Sequence, residues 1–246
     1  MNRSFSPKNK KVIFFDLNNT LIDHQRSFKV SFLDALDEFT SRWDPESNNW
    51  EPNKVYTNYM KELKIAKQDK RKYYLPRNKL QHHCLKQALK PYPLDVNLSF
   101  SEHFFNMIQE NRPQNVQLFP DVLHPLATLS NKYKLAIISN GRKNDYDHLN
   151  IKDFIPEDRV FTSKMFGHHK PHPTIFKNAL KKMNFSPEQS VMVGNSWKND
   201  VCGAIDIGMD AIWIVRKPRK GSRRRADKNG VTYIQSLKQL VSVFEV

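Results

Sequence analysis

The fold is decided by residues 12–21, which read VIFFDLNNTL. Residues 12–15 form a continuous apolar run with polar residues on either side, which is the pattern of a strand buried on both faces of a parallel sheet. Asp16 follows this run directly, so it stands at the carboxyl end of the predicted strand. Open α/β sheets bind their ligands at that end. Asp16 is therefore the first candidate site residue.

The second half of the chain alternates between predicted strands and predicted helices. Four further apolar runs are predicted as strands, at residues 135–138, 160–161, 191–193 and 211–215. Helices are predicted at residues 122–130, 173–183 and 200–207. This alternation is typical of an α/β fold, here a Rossmann-like parallel sheet with helices on both faces. The clearest strands end in small or polar residues, which we expect to converge at one edge of the sheet.

Residues 22–116 have a different pattern of apolar residues. They contain no β-branched run, and apolar residues recur at helical spacing from Phe28 to Phe39 and again from Phe104 to Ile108. Prolines, among them Pro45 and Pro93, divide the stretch. This pattern predicts several helices joined by loops. We therefore predict an α/β core domain of residues 1–21 and 117–246, interrupted by a helical domain of residues 22–116.

Composition limits the class of protein. The chain has 246 residues, of which 39% are hydrophobic, enough to bury a core. No apolar run reaches the roughly 20 residues that span a bilayer, and the apolar stretch near the N-terminus is too short for a signal peptide. We therefore expect a cytoplasmic protein without a membrane partner. The net charge of +15 favours anionic ligands, which makes nucleic acid a candidate partner.

Four short segments carry a family resemblance. In chain order they are residues 16–21 (DLNNTL), 138–141 (ISNG), 170–173 (KPHP) and 194–200 (GNSWKND). Together they resemble the four ordered motifs of the haloacid dehalogenase superfamily, and the helical insertion resembles that family's C1-type cap. The resemblance covers about residues 11–21 and 118–215 of the core. It implies an enzyme, most of all a phosphatase-type phosphohydrolase that works through an aspartyl intermediate.

The chemistry of that reaction assigns a role to each matching residue. A carboxylate held against positive charge can attack a phosphoryl centre and form a covalent intermediate, which fits Asp16. Thr20 is expected to orient the loop and, with Ser139 and Asn140, to bind phosphate after the first and second strands. Lys170 precedes a predicted helix and is expected to neutralise both Asp16 and the substrate.

Two positions depart from the family pattern. Asn18 stands two residues after the nucleophile, where phosphatases of the family carry an Asp that protonates the leaving group. An amide cannot exchange that proton near neutral pH, and losing a general acid costs about 10²–10⁴-fold in rate. Asn195 stands where the family places a metal-binding Asp. The resemblance thus implies a weakened Mg²⁺ site made of Asp16, the carbonyl of Asn18, Asn195 and Asp200, with Asp200 acting as ligand or as support.

Three interpretations follow from these departures. The first is a phosphohydrolase that still uses magnesium and Asp16 on a small phosphorylated or carboxylated substrate. The second is a hydrolase similar to the metal-free haloacid dehalogenases, which also lack the second Asp and carry a Trp before the Asp of the fourth motif, as Trp197 does here. The third is a silent relative that binds a phosphorylated ligand, nucleic acid or protein. The spacing from Gly194 to Asp200 and the presence of Lys170 favour the first.

Two other clusters invite a functional interpretation. Residues 216–225 read RKPRKGSRRR and leave the predicted fifth strand at the edge that holds the candidate site, where they could contact phosphate groups. The segment lacks interleaved aromatic residues, which argues against stacking on single strands. His168, His169 and His172 surround Lys170, but no Cys or carboxylate stands at zinc-ligand spacing, so we expect loop or substrate-side positions.

Overall fold

The computed structural model describes residues 5–43, 50–69, 75–92, 94–141, 143–218 and 220–245. The chain forms two compact units, one of residues 1–24 with 116–246 and the other of residues 25–115. We call them the core unit and the inserted unit. The domain boundaries given above stay a prediction. Pro45, Pro93 and Arg219 lie outside the described residues.

The core unit is built on six parallel strands in the order β3-β2-β1-β4-β5-β6. All five predicted strands are confirmed within one or two residues at their ends. The sixth, at the edge of the sheet, was not predicted because its three residues lie in a polar context without an apolar run. The strands are β1 Val12–Phe15, β2 Lys134–Ser139, β3 Val160–Thr162, β4 Ser190–Gly194, β5 Asp210–Ile214 and β6 Thr232–Ile234.

Alternate side chains of β1 enter two separate cores, one on each face of the sheet. Ile13 and Phe15 point into the first, and Val12 and Phe14 point into the second. This is the period-two geometry of a strand that is covered on both sides. All four side chains are fully buried, which explains why the strand consists only of apolar residues.

Helices pack on both faces of the sheet and are numbered after the four described helices of the inserted unit. On the first face, Leu126 and Leu240 join the core; on the second face, Phe176 and Ala204 do so. The bounds of these helices are α5 Leu123–Ser130, α8 Pro173–Met183, α9 Gly203–Ile205 and α11 Lys238–Val243, with the short helices α6 Asn144–Asp147, α7 Ser163–Phe166 and α10 Ser222–Lys228 completing the core unit.

One predicted helix has a different form. Residues 200–207 were predicted as a regular helix, but the chain winds as a π-helix over Trp197–Cys202 and continues as α9. The Ser196 side chain caps this turn by accepting from the Asn199 N–H. The wide turn begins three residues before the predicted start and carries Asp200 inside it. π-helical turns of this kind occur often at functional sites.

The inserted unit has its own helices and its own core. Its helices are α1 His24–Trp43, which starts at the last residue of the core unit's first segment, α2 Pro52–Gln68, α3 Arg77–Leu89 and α4 Leu98–Asn111. Aromatic rings dominate the core, with Phe32, Tyr59 and Phe104 fully or nearly fully buried. Ring pairs such as Phe32 and Phe104, at 5.1 Å and 81°, have the edge-to-face geometry that aromatic side chains favour. None of the described helices is long and apolar enough to cross a bilayer.

Candidate active site

The candidate site lies where three neighbouring strands end. β1 pairs with β2 on one side and with β4 on the other, so residues 16, 140 and 195 emerge at the same edge of the sheet. The Asp16 N–H donates to the Val193 carbonyl at 2.9 Å, which extends the β1–β4 ladder by one bond. The backbone at Asp16 is thus held by the sheet itself, and its side chain is buried.

A buried lysine joins the two acidic side chains of the site. Lys170 Nζ donates to Asp16 Oδ1, to Asp200 Oδ1 and to the Ile138 carbonyl, each at 2.7 Å. An ammonium group has three N–H donors, so all of them are engaged. The Lys170 side chain is 1% exposed. The predicted contact between Lys170 and Asp16 is therefore present, although these residues are 154 positions apart.

Burial and charge act against each other on this cluster. Burial raises the pKa of Asp16 to about 6, although the nearby Lys170 ammonium and the Thr20 hydroxyl oppose the rise. Burial alone would lower the pKa of Lys170, but the two carboxylates outweigh it and raise that pKa above its usual value. Lys170 therefore stays charged beside Asp16.

Asn140 holds the backbone of Lys170 rather than facing open space. Its Oδ1 accepts from the Lys170 N–H at 2.7 Å, and its Nδ2 donates to the Lys170 carbonyl at 3.0 Å. Both ends of the amide are thus used. The geometry favours a positioning role for Asn140 over the phosphate contact predicted above. Ser139 is buried beside it and accepts from the Gly141 N–H at 2.9 Å, which leaves its own hydroxyl hydrogen available.

Thr20 links the loop after β1 to the loop after β4. Its hydroxyl oxygen accepts from the Asn195 N–H at 3.1 Å, and it hydrogen-bonds the Asp16 carboxylate. The Asn195 carbonyl accepts in turn from the Trp213 indole at 2.9 Å. Thr20 is fully buried. The predicted orienting role of Thr20 agrees with these contacts.

Asp200 supports the cluster through both of its carboxylate oxygens. Oδ1 accepts from Lys170, and Oδ2 accepts from the Ser196 N–H at 2.8 Å. Gly194 makes room for it, because a Cβ at Gly194 would lie 2.4 Å from the Asp200 carboxyl group. No side chain fits at that distance, so a glycine is required here. Of the two predicted roles, the support role agrees better with these contacts than the ligand role.

Two functional contacts involve residues that the sequence did not single out. His24 Nε2 lies 2.6 Å from Asn18 Oδ1, directly beside the altered acid position. Arg216 donates to the Thr20 carbonyl at 2.7 Å and forms an ion pair with Asp121 at 2.8 Å. Arg216 was grouped with the exposed basic segment, yet only 15% of its side chain is exposed. In the sequence, only the position of Arg216 just after the predicted fifth strand distinguished it from the other basic residues.

The two other predicted clusters lie at the surface. The His168 and His172 rings stack at 4.1 Å between centroids, and His169 is exposed with them. Within the described part of the chain, no three His, Cys, Asp or Glu side chains are grouped to hold a metal ion. In the basic segment, Arg223, Arg224 and Arg225 are all exposed, and the Arg225 guanidinium lies 4.5 Å from the centre of the Trp197 ring.

The oxygen donors around Asp16 fit a hard cation. They comprise the Asp16 carboxylate, the main-chain carbonyl of Asn18 and the side-chain amide of Asn195, which hydrogen-bonds no other described residue and is partly exposed. Magnesium takes oxygen ligands, often one or two carboxylates plus waters and substrate phosphate. The set therefore suits Mg²⁺, with one carboxylate supplied directly by the chain.

The buried ion cluster predicts how the chain responds to loss of Lys170. Lys170→Met should lower the free energy of unfolding by about 3–5 kcal/mol near neutral pH, because it leaves two buried carboxylates without a counter-charge. In the wild type, burial raises the pKa of Asp16 from 3.8 to about 6 although Lys170 opposes the rise, so loss of the ammonium should raise the folded-state pKa of Asp16 further in the variant. Acid therefore favours the folded state of the variant, and the loss should shrink as the pH falls towards about 5. Urea unfolding at both pH values measures this.

Lys10 provides a matched control for this experiment. Its side chain is 5% exposed, and its Nζ lies 2.6 Å from Asp210 Oδ2, away from the candidate site. Asp210 is 26% exposed, so water can solvate it after Lys10→Met, and the loss should be smaller. A loss at Lys170 that is no larger than at Lys10, or that does not change with pH, would contradict the role of Lys170.

The chain is similar in sequence to proteins that are named phosphatases. The chain is 38% identical over 132 residues to the glyceraldehyde 3-phosphate phosphatase of Methanothermobacter thermautotrophicus, a match of 51% of this chain and 58% of that one. It is 27% identical over 244 residues to the protein of the same name from Pyrococcus furiosus, which covers 96% of this chain and 93% of that one.

A solved structure shares the same fold. The 2-haloacid dehalogenase from Pseudomonas syringae pv. Tomato DC3000 superposes with a TM-score of 0.59 at 24% identity, over 96% of this chain and 98% of that one. At this identity the likeness concerns the fold alone. The family model for haloacid dehalogenase-like hydrolases matches residues 13–214, which is most of the chain. With its buried Asp16 at the end of β1, the chain belongs to the haloacid dehalogenase-like hydrolase family.

Proposed function

We propose that this chain is a phosphohydrolase that acts on a small phosphorylated compound through an aspartyl intermediate at Asp16. The observation that carries the proposal is the buried contact between Asp16 and the Lys170 ammonium at the carboxyl end of β1. A carboxylate in this place is held still by the sheet and faces a fixed positive charge. The relatives that are named glyceraldehyde 3-phosphate phosphatases support the choice of substrate class.

The residues of the site divide the work as follows. An oxygen of the Asp16 carboxylate attacks phosphorus, and the bond from phosphorus to the leaving group breaks. Lys170 keeps Asp16 in place and offsets the charge of the phosphoryl group. The Ser139 hydroxyl is placed to donate to a phosphate oxygen, and Thr20 fixes the loop that carries Asn18. Water then attacks the phosphoryl group of the intermediate and releases Asp16.

The same residues define where a magnesium ion would be held. We assign Asp16, the Asn18 carbonyl and Asn195 as its protein ligands, with Lys170 holding Asp16 and Asp200 holding Lys170. When bound, Mg²⁺ supplies positive charge against the phosphate oxygens. With one direct carboxylate, the affinity for magnesium should be lower than in a site with two or three.

Hydrolysis should depend on Asp16 and on magnesium. Asp16→Asn should lower the turnover of p-nitrophenyl phosphate by at least about 10³-fold, since the nucleophile is lost while the side-chain shape is kept. Chelation with EDTA should abolish wild-type activity, and added Mg²⁺ should restore it. Released inorganic phosphate is the quantity to measure.

Asp210→Asn is the matched control, because Asp210 begins β5 at the opposite end of the sheet and pairs with Lys10. This variant should retain wild-type activity. Equal activity in wild type and Asp16→Asn would refute the nucleophile assignment. Release of halide from 2-chloropropionate without added metal, with no release of phosphate, would favour the dehalogenase interpretation. No turnover of either substrate would favour a silent relative.

A second candidate function rests on a separate basic surface. A shallow cavity of 430 Å³ lies beside α10 and the end of β6, and no acidic residue lines it. Lys220, Arg223 and Arg224 supply positive charge, and Tyr233 supplies an aromatic ring that the basic segment itself lacks. Cations beside an aromatic ring suit the phosphates and bases of a single-stranded nucleic acid. The sequence of the basic segment argued against single strands, but with Tyr233 beside it we propose single-stranded nucleic acid as a second candidate ligand.

Binding at this surface should be salt-dependent. Replacing Lys220, Arg223 and Arg224 with Ser should weaken binding to a fluorescent oligo(dT) strand at about 50 mM salt and lower the log–log salt slope by roughly 2, because three phosphate contacts are lost. Fluorescence anisotropy measures both quantities. The control carries Ser at Lys177, Lys181 and Lys182 of α8, which removes the same charge elsewhere. Equal binding by the two triple variants would dismiss this surface as the ligand site.

A further inference from the structure

A histidine hydrogen-bonds Asn18, the residue that stands in the place of the family's acidic Asp. His24 Nε2 and Asn18 Oδ1 are 2.6 Å apart, within the core unit. An amide oxygen can only accept a hydrogen bond, so the histidine must carry its hydrogen on Nε2. The bond thus fixes which end of the Asn18 amide faces His24. The other end, with its two N–H groups, must face away from it.

The opposite face of the Asn18 amide meets the loop after β2. A Cβ placed on Gly141 would lie 2.5 Å from Asn18 Nδ2 and 3.1 Å from Ser139 Oγ. The amide nitrogen therefore lies against the Gly141 backbone and close to the Ser139 hydroxyl, which was predicted to bind phosphate. A side chain at position 141 would clash with the Asn18 amide, so the close approach of the amide to this backbone requires a glycine. Asn18 thus directs its N–H groups towards Gly141 and Ser139.

The protons of Lys170 and His24 are already engaged in hydrogen bonds. All three Lys170 donors are engaged, and Asp200 accepts at both oxygens. His24 directs its Nε2–H to Asn18. Of these groups, the Asn18 amide cannot release a proton, and Lys170 and His24 hold their hydrogens in hydrogen bonds.

We propose that His24 is a positioning residue that holds Asn18 as a fixed N–H donor, and that the site therefore hydrolyses phosphates whose leaving group departs as a stable anion. Acyl phosphates and aryl phosphates belong to this class, and alkyl phosphates do not. The proposal rests on the proposed phosphohydrolase function. The Asn18 N–H stabilises negative charge on the departing oxygen, but it does not transfer a proton to that oxygen.

The atoms balance without an acid in the first step. A carboxylate oxygen of Asp16 bonds to phosphorus, and the leaving group departs with the electron pair of the broken P–O bond. A carboxylate or phenolate is stable in this form, whereas an alkoxide is not. Water then bonds to phosphorus, the bond to Asp16 breaks, and the two protons of the water stay on the released phosphate or one of them passes to solvent.

A series of leaving groups tests the proposal. In the presence of Mg²⁺, kcat/KM of the wild type should fall by about 10²–10⁴-fold from acetyl phosphate and p-nitrophenyl phosphate to glycerol 3-phosphate, which is the range that a general acid contributes. Asn18→Asp should raise the ratio of kcat/KM for glycerol 3-phosphate to kcat/KM for acetyl phosphate by about 10²-fold, because the new carboxyl group can protonate an alkoxide leaving group. A wild-type rate that does not depend on the leaving group overturns the proposal.

Variants of His24 separate positioning from acid catalysis. His24→Gln keeps an N–H donor for Asn18 and should retain most activity, whereas His24→Leu removes the donor and should lower kcat on every substrate by about tenfold. His124→Leu, on the exposed surface of α5, is the matched control and should behave as wild type. If His24→Gln loses activity on glycerol 3-phosphate alone, His24 supplies a proton and the proposal fails.

The tautomer of His24 can be measured without turnover. Long-range ¹H–¹⁵N spectra of the wild type should place the hydrogen on Nε2, and a hydrogen on Nδ1 would overturn the proposal. Failure of the parent function is distinguishable from failure of this inference. If the phosphohydrolase function is wrong, no substrate of the series is turned over and Asp16→Asn equals the wild type. If only the leaving-group class is wrong, alkyl phosphates are turned over efficiently and that turnover depends on Asp16.

Discussion

The buried Lys170 ammonium is the constraint on which the rest of the site depends. Removing a charge of this kind from water costs several kcal/mol, and only close partners with full hydrogen bonding offset that cost. Here the partners come from distant parts of the sequence, namely Asp16 after β1, the Ile138 carbonyl of β2 and Asp200 after β4. The cluster forms only when these strands are adjacent and in register. The geometry of the site therefore requires the observed order of the strands in the sheet.

Several local features follow from this requirement. Gly194 is small because the Asp200 carboxylate approaches its backbone. The π-helical turn carries Asp200 inward and uses its second oxygen to hold the Ser196 N–H. Asn140 fixes the backbone of Lys170 from the end of β2. Each feature looks like an isolated irregularity in sequence, but each limits the freedom of one member of the ion cluster.

The sequence predicted those parts of the fold that depend on local patterns. Five apolar runs marked five strands, and the ordered motifs marked Asp16, Thr20, Ser139, Lys170 and Asp200. It missed β6, whose pairing with β5 depends on the sheet already in place. It also missed His24 and Arg216, because a lone histidine and the first residue of a basic run carry no pattern of their own. Their roles arise from partners that only the folded chain brings near.

The two amides change the charge balance of the site. Asp16, Asp200 and Lys170 together leave one net negative charge, whereas carboxylates at positions 18 and 195 would make the cluster strongly anionic. A less anionic cluster attracts magnesium less, but it also repels a phosphate dianion less. Substrate phosphate then supplies a larger share of the oxygen ligands, so metal and substrate should bind together more than separately. Asn18 and Asn195 thus both lower the negative charge around Asp16. A single Asn→Asp change therefore alters both metal and phosphate binding.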